Sequence, residues 1–155
     1  STYQNYLFTF INIHPSAEAR LTFQGNAAAG SGYNETITST AYQAYHTEAN
    51  DVASTVYPTD NDQAQGTGFQ IISSVGGVQN DASLSGFMYL FDPSDTTYQK
   101  HFLARTTEMY EDSAVGAIEL HTAGYFNTTS AIDEIQFKMS SGNIDAGTIK
   151  LYGLG

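Results

Sequence analysis

Apolar and polar residues alternate in short runs along most of the chain. In 20–25 (RLTFQG), Leu21 and Phe23 share one side of a period-2 pattern, as in a strand with one face on a core. In 134–140 (EIQFKMS), Ile135, Phe137 and Met139 alternate with Gln136 and Lys138. In 99–111, Phe102 and Ala104 oppose His101, Leu103 and Arg105, and in 115–126 Ile118 and Leu120 share a side. Residues 6–13 (YLFTFINI) are different: Tyr6, Phe8 and Phe10 stand on one parity and Leu7, Ile11 and Ile13 on the other. A strand that is apolar on both parities is expected to be covered on both faces. Pro15 ends it. Residues 68–75 (GFQIISSV) and 84–93 (LSGFMYLFDP) read as further strands, and 40–46 (TAYQAYH) as a strand or a single helical turn. Residues 26–36 read as a small-residue loop, and 47–65 as a long polar loop pinned by Val52 and Val56.

No segment keeps a helical period with a cap. About eight or nine strands separated by turn clusters predict an all-β fold, an antiparallel β-sandwich with jelly-roll-like connections. No linker or internal repeat divides it, so residues 1–155 form a single domain. The last two runs, 134–140 and 147–152, are expected to pair as a hairpin. Ile149 and Leu151 would then face the core, and Ser141–Gly147 (SGNIDAG) would form the connection, with Gly142 and Gly147 supplying positive φ or close approach. A strand pattern running to Gly155 predicts a terminus paired into a sheet, with no tail or anchor after it. Ser1, which is not an initiator Met, is expected to follow a processed or upstream segment.

The length suffices for one domain with a real core. Hydrophobic residues make up 41% and charged residues only 14%, a balance common in secreted and virion proteins. Acids outnumber bases 16 to 5, for a net charge of −11. Such a surface repels phosphate backbones and anionic lipid, which need clustered Lys and Arg. The bases Arg20, Lys100, Arg105, Lys138 and Lys150 are scattered, so nucleic acid and membrane are not expected partners. No apolar run is long enough for a membrane span. The absence of cysteine excludes disulfides, Cys-ligated zinc and thiol catalysis.

The remaining chemistry is sparse. Asp60 and Asp62, with Asp51 upstream, have the spacing of alternate oxygen ligands for calcium, but the glycine and closing glutamate of an EF-hand loop are missing. A solvated loop is the simpler reading. A glycosidase needs two carboxylates across a cleft; Glu119 and Glu134, both within strand patterns, are the pair to examine. His14, His46, His101 and His121 show no metal-binding spacing, although His101 and His121 fall on candidate neighbouring strands. The glycine-rich stretch 30–35 (GSGYNE) has no helix behind it to receive a phosphate. Asp92–Asp95 (DPSD) is a turn signal. No catalytic residue, cofactor or metal is expected. Tyr33, Tyr42, Tyr45, Tyr57, Tyr98 and Tyr110 fall in loops or ambiguous segments. Tyrosines of this kind stack on sugars or fill subunit interfaces.

Two stretches carry a resemblance. The ending 131–155 has Ile132, Ile135 and Phe137 in a strand, then Ser141, Gly142 and Asn143, then Gly147, Thr148, Ile149, Leu151, Tyr152 and Gly153. It resembles the C-terminal hairpin of a group of tailed-phage virion proteins, many of them from marine and cyanobacterial phages. The opening 3–16 (YQNYLFTFINIHPS) is similar to the first strand of the same group, and the two ends would be adjacent strands of one sandwich. Residues 26–130 resemble the group only in style. The resemblance implies a non-enzymatic structural component of a virion, a head-decoration, fibre or tail protein on the particle surface. Its expected partners are other virion proteins and further copies of itself, as a homo-oligomer with a trimer favoured. A carbohydrate-binding receptor module that recognises a host-surface glycan is the alternative.

Overall fold

A computed structural model describes residues 2–111 and 115–155, with side chains for 2–109 and 115–155. The strands are β1 (Asn5–Pro15), β2 (Leu21–Ala27), β3 (Ile37–Thr47), β4 (Ala53–Val56), β5 (Gln70–Ile71), β6 (Leu84–Phe91), β7 (Lys100–Glu111), β8 (Val115–Phe126), β9 (Ile132–Met139) and β10 (Ile144–Leu154). Seven form a large sheet in the order β10-β1-β6-β7-β8-β3-β4, and three form a small one, β5-β2-β9. Their pairings are antiparallel, and no described residue is helical. The chain is the expected all-β sandwich, passing repeatedly between its two layers.

The alternating runs supply the core. Leu21 and Phe23 of β2 meet Phe102, Phe126, Met88 and Leu90 of the large sheet in one cluster. Phe23 sits edge-on to Phe102 at 4.9 Å and to Phe126 at 6.0 Å. Burying side chains of this size is worth roughly 1.5–3 kcal/mol each. β1 changes parity partway along. Asn12 takes φ 50°, its N–H donates to Ser85 Oγ at 3.0 Å, and the registers with both neighbouring strands shift there. This bulge turns Ile13 inward beside Phe8 and Phe10, although its sequence parity is that of Leu7. Gly147 sits against the bulge at φ 108°, where a Cβ would lie 2.5 Å from the Asn12 carbonyl oxygen.

The C-terminal hairpin is not formed. β9 pairs with β2 in the small sheet and β10 pairs with β1 in the large one. Residues 140–143 therefore arch from one layer to the other, held where the Ser16 and Asn143 backbones meet (Ser16 N to Asn143 O, 2.9 Å) and where Ser16 Oγ accepts from Asn143 N–H (2.8 Å). The two ends of the chain are adjacent strands, Asn5–Ile11 matching Thr148–Leu154 in register. Ile149 and Leu151 do point to the inner side, but they extend past the small sheet and stay 37% and 57% exposed. The polar loop 47–65 contains β4, and only Gln70 and Ile71 of 68–75 form a strand. Side chains do the ladder's work around that short strand. Gln24 Nε2 donates to the carbonyls of Glu35 (3.0 Å) and Gly68 (2.9 Å), and Gln70 Nε2 donates to that of Asn61 (2.7 Å).

Candidate interaction surface

The small sheet covers only one face of the large one. On the opposite, outer face the register places side chains in rows across the strands. One row runs Tyr152, Leu7, Tyr89, Leu103, Ala123. The next runs Lys150, Thr9, Phe87, Arg105, His121, Tyr42. Phe91, Leu103, Tyr152 and Tyr42 are 40%, 43%, 45% and 49% exposed. Contiguous apolar surface of this kind marks a site where something else packs.

Its aromatic rings are organised among themselves. Tyr89 stacks on Phe91 (centroids 5.8 Å apart, planes 13°) and meets Phe87 edge-on at 5.6 Å. Tyr42 stacks on His121 (4.5 Å, 9°). Beside that pair, the Arg105 guanidinium binds Glu119, whose carboxylate also lies 3.4 Å from His121 Nε2. The Arg105 hydrogen bond, partly offset by desolvation, holds the Glu119 carboxyl below the usual range. At the β4 margin, the Tyr57 hydroxyl donates to Asp62 (2.5 Å) and accepts from Thr40 (3.3 Å).

Two hollows indent the sandwich. One of about 490 Å³ opens between the layers beside β9, lined by Tyr6, Phe8, Leu90, Ile132, Ile135 and Leu151 among others. Another, of about 580 Å³, opens at one end of the outer face, lined by His46, Ser85, Thr107, Met109 and Ala117, with Glu108 and Asn50 beside them.

The residues singled out in the sequence are dispersed. Glu119 projects from the outer face of β8, whereas Glu134 projects from β9 of the small sheet, where it accepts from Asn26 Nδ2 (3.2 Å). The whole sandwich separates these two carboxylates, so they do not flank a common cleft. Asp51 accepts from Thr47 Oγ1 (2.5 Å) while Asp62 is held by Tyr57, and no group of metal-ligating side chains gathers among the described residues. His46 faces Asn50 at 3.1 Å and His101 lies by Tyr125 at 5.8 Å. His14 bridges Asp145 (2.7 Å) and the Gln79 carbonyl (3.1 Å). In the 30–35 loop, Glu35 accepts from the Ala27 N–H (3.0 Å). Asp95 accepts from the N–H groups of Tyr98 and Thr97 (2.6 Å each), which closes the turn and lowers its carboxyl pKa.

Of the tyrosines, Tyr42 and Tyr57 stand together at the β3–β4 margin. Tyr98 is exposed alone, Tyr33 and Tyr45 are half-buried, and the Tyr110 side chain lies outside the described residues. Sequence reasoning missed Phe87, Tyr89, Phe91 and Leu103 as a surface. The signal was present: 86–91 (GFMYLF) is apolar on both parities, like β1, its neighbour in the sheet.

Compared with protein-family models, with curated proteins and with solved structures, the chain matches none.

Proposed function

We propose that this chain is a non-enzymatic structural component of a phage virion, a subunit that packs against further copies and other virion proteins at the particle surface. One observation carries the reading. β1 and β6 have the apolar pattern of strands covered on both faces, yet the chain covers only one of them. The outer face, with Leu7, Tyr89, Leu103 and Tyr152 in one row, has the aromatic, charge-poor character of a subunit interface. The resemblance of 3–16 and 131–155 to phage virion proteins supplies the setting, and these stretches form β1, β9 and β10 on one side of the sandwich.

The reading as a glycan-binding receptor module rests on Tyr42, His121, Arg105 and Glu119, an aromatic and polar cluster on the same face. Sugars stack on ring faces, and here the faces of Tyr42 and His121 are turned toward each other; packing is the better use of the surface. Imaging of intact particles with antibody against this chain is expected to show regularly spaced label on the virion. Particles free of label, with the protein found only in the lysate, would overturn the assignment.

A further inference from the structure

The large sheet ends in two strands, β10 and β4, each with one side unpaired. β10 is 11 residues long and exposed along nearly its whole length. A long open edge with apolar side chains is a template for another strand. The two edges differ in charge: on β10 the acid Asp145 is bound by His14, which leaves Lys150 as its free charge. Lys100 is buried, Arg105 is bound by Glu119, and Lys138 lies over the Phe69 ring. Lys150, on the outer face of β10, is exposed and makes no ion pair among the described residues. The segment that holds β4, residues 47–66, has no Lys or Arg and carries Glu48, Asp51, Asp60 and Asp62.

The register aligns these groups. The row that begins at Lys150 crosses Thr9, Phe87, Arg105 and His121 to Tyr42. Gln43 pairs with Val56, so the next position beyond Tyr42 is Tyr57, whose hydroxyl binds the Asp62 carboxylate. A cation stands at one end of the row, and a ring with a carboxylate at the other. Because every neighbouring pair in the sheet is antiparallel, β10 and β4 run in the same direction.

We propose that a second copy of this chain docks edge to edge, its β10 adding in parallel to β4 of the first, so that the large sheet continues from copy to copy and Lys150 meets Tyr57 and Asp62. The inference rests on the reading of the chain as self-associating. In line, Thr148 comes beside Thr55 and Ile149 beside Val56, so apolar and polar positions keep their faces. The junction joins different surfaces, so repetition gives a ring where the rotation per copy closes and an open filament where it does not. Pairing of β10 with another β10 would instead set Lys150 against a strand whose one acid, Asp145, is already bound by His14.

The absence of cysteine permits a clean test. Adjacent strands are roughly 4.8 Å apart, within disulfide reach. The double variant Thr55→Cys, Thr148→Cys, oxidised under native conditions, is expected to give covalent multimers on a denaturing gel, while either single variant stays monomeric. In light scattering, Lys150→Glu is expected to weaken association about tenfold, as for a close interfacial charge pair, and adding Asp62→Lys to restore it. Cross-linked dimers from Thr148→Cys alone would overturn the proposal in favour of β10–β10 pairing. Association without cross-linking, or insensitive to Lys150→Glu, would overturn the junction but leave self-association standing. A chain monomeric at high micromolar concentration would bring down both.

Discussion

Glu108 occupies an inward position of β7, opposite Leu84 and Ile118 on the flanking strands. It is 5% exposed, and neither carboxylate oxygen finds a partner at hydrogen-bond geometry. Burial pushes its pKa up to about 7, with the Ser74 dipoles and the Arg20 charge offsetting only part of the effect. The acid binds its proton more tightly folded than unfolded. Its contribution is therefore fully present below the ordinary value of 4.5 and is lost as pH rises through about 7, a loss of about 3 kcal/mol at most. His14 acts in the same direction. A carboxylate and a carbonyl can only accept, so both ring nitrogens must carry protons to bond Asp145 and Gln79. The Asp145 bond leads in raising the His14 pKa, and its stabilisation is present below 6.5 and lost above the raised folded value. Denaturant melts from pH 4 to 8 are expected to show stability falling with pH, and Glu108→Gln to flatten most of that slope. An unchanged slope in the variant would mean that Glu108 ionises freely in the fold.

At the scale of elements, β9 is fastened through Phe137, whose ring meets Phe8 at 5.0 Å, Phe10 at 5.2 Å and Phe23 at 6.3 Å. Because Phe137 is half-buried, Phe137→Ala is expected to cost about 2–4 kcal/mol, toward the low side of a buried phenylalanine. Gln136→Ala, on the exposed side of the strand, should change the denaturant midpoint little. Equal effects from the two would place Phe137 outside the core. The alternation of Ile135, Phe137 and Met139 makes the inward side of β9 legible in the sequence. The partner of that strand is not, because a hairpin and an arch across 140–143 leave the same residues facing inward. Parity likewise fails at Ile13, where one bulge residue reverses it. β4 and β5 are short and hidden in polar sequence: β4 rests on its ladder to β3, and glutamine side chains secure the segment around β5. Gln24 and Gln70 are both fully buried, a use of polar residues that no hydrophobic pattern shows.

For the whole molecule, one uncovered face joins the pattern of single strands to the proposed self-association. Apolar residues on both parities of β1 and β6 indicate something on each side of the sheet, and the fold places one layer there. On the proposed reading a second copy supplies the outer layer, and a net charge of −11 does not forbid it. Arg105 and Glu119 already neutralise each other on this face, and the neighbouring Leu103 row is uncharged. Leu103 is the residue to probe, standing mid-sheet on β7 and 43% exposed. A charge placed there meets water in the free subunit but is desolvated, without a partner, in an assembly. Leu103→Asp is therefore expected to leave the melting transition within about 0.5 kcal/mol of the parent, as for surface substitutions. If the proposed self-association uses this face, light scattering should show the variant dissociated at concentrations where the parent remains assembled. Unlike Lys150, Leu103 is remote from both open edges, so the two variants report on different surfaces. Loss of assembly with Leu103→Asp alone would assign the contact to the face, and loss with Lys150→Glu alone to the edges. If the Leu103 variant assembles as the parent does, the outer face is not the contact between copies.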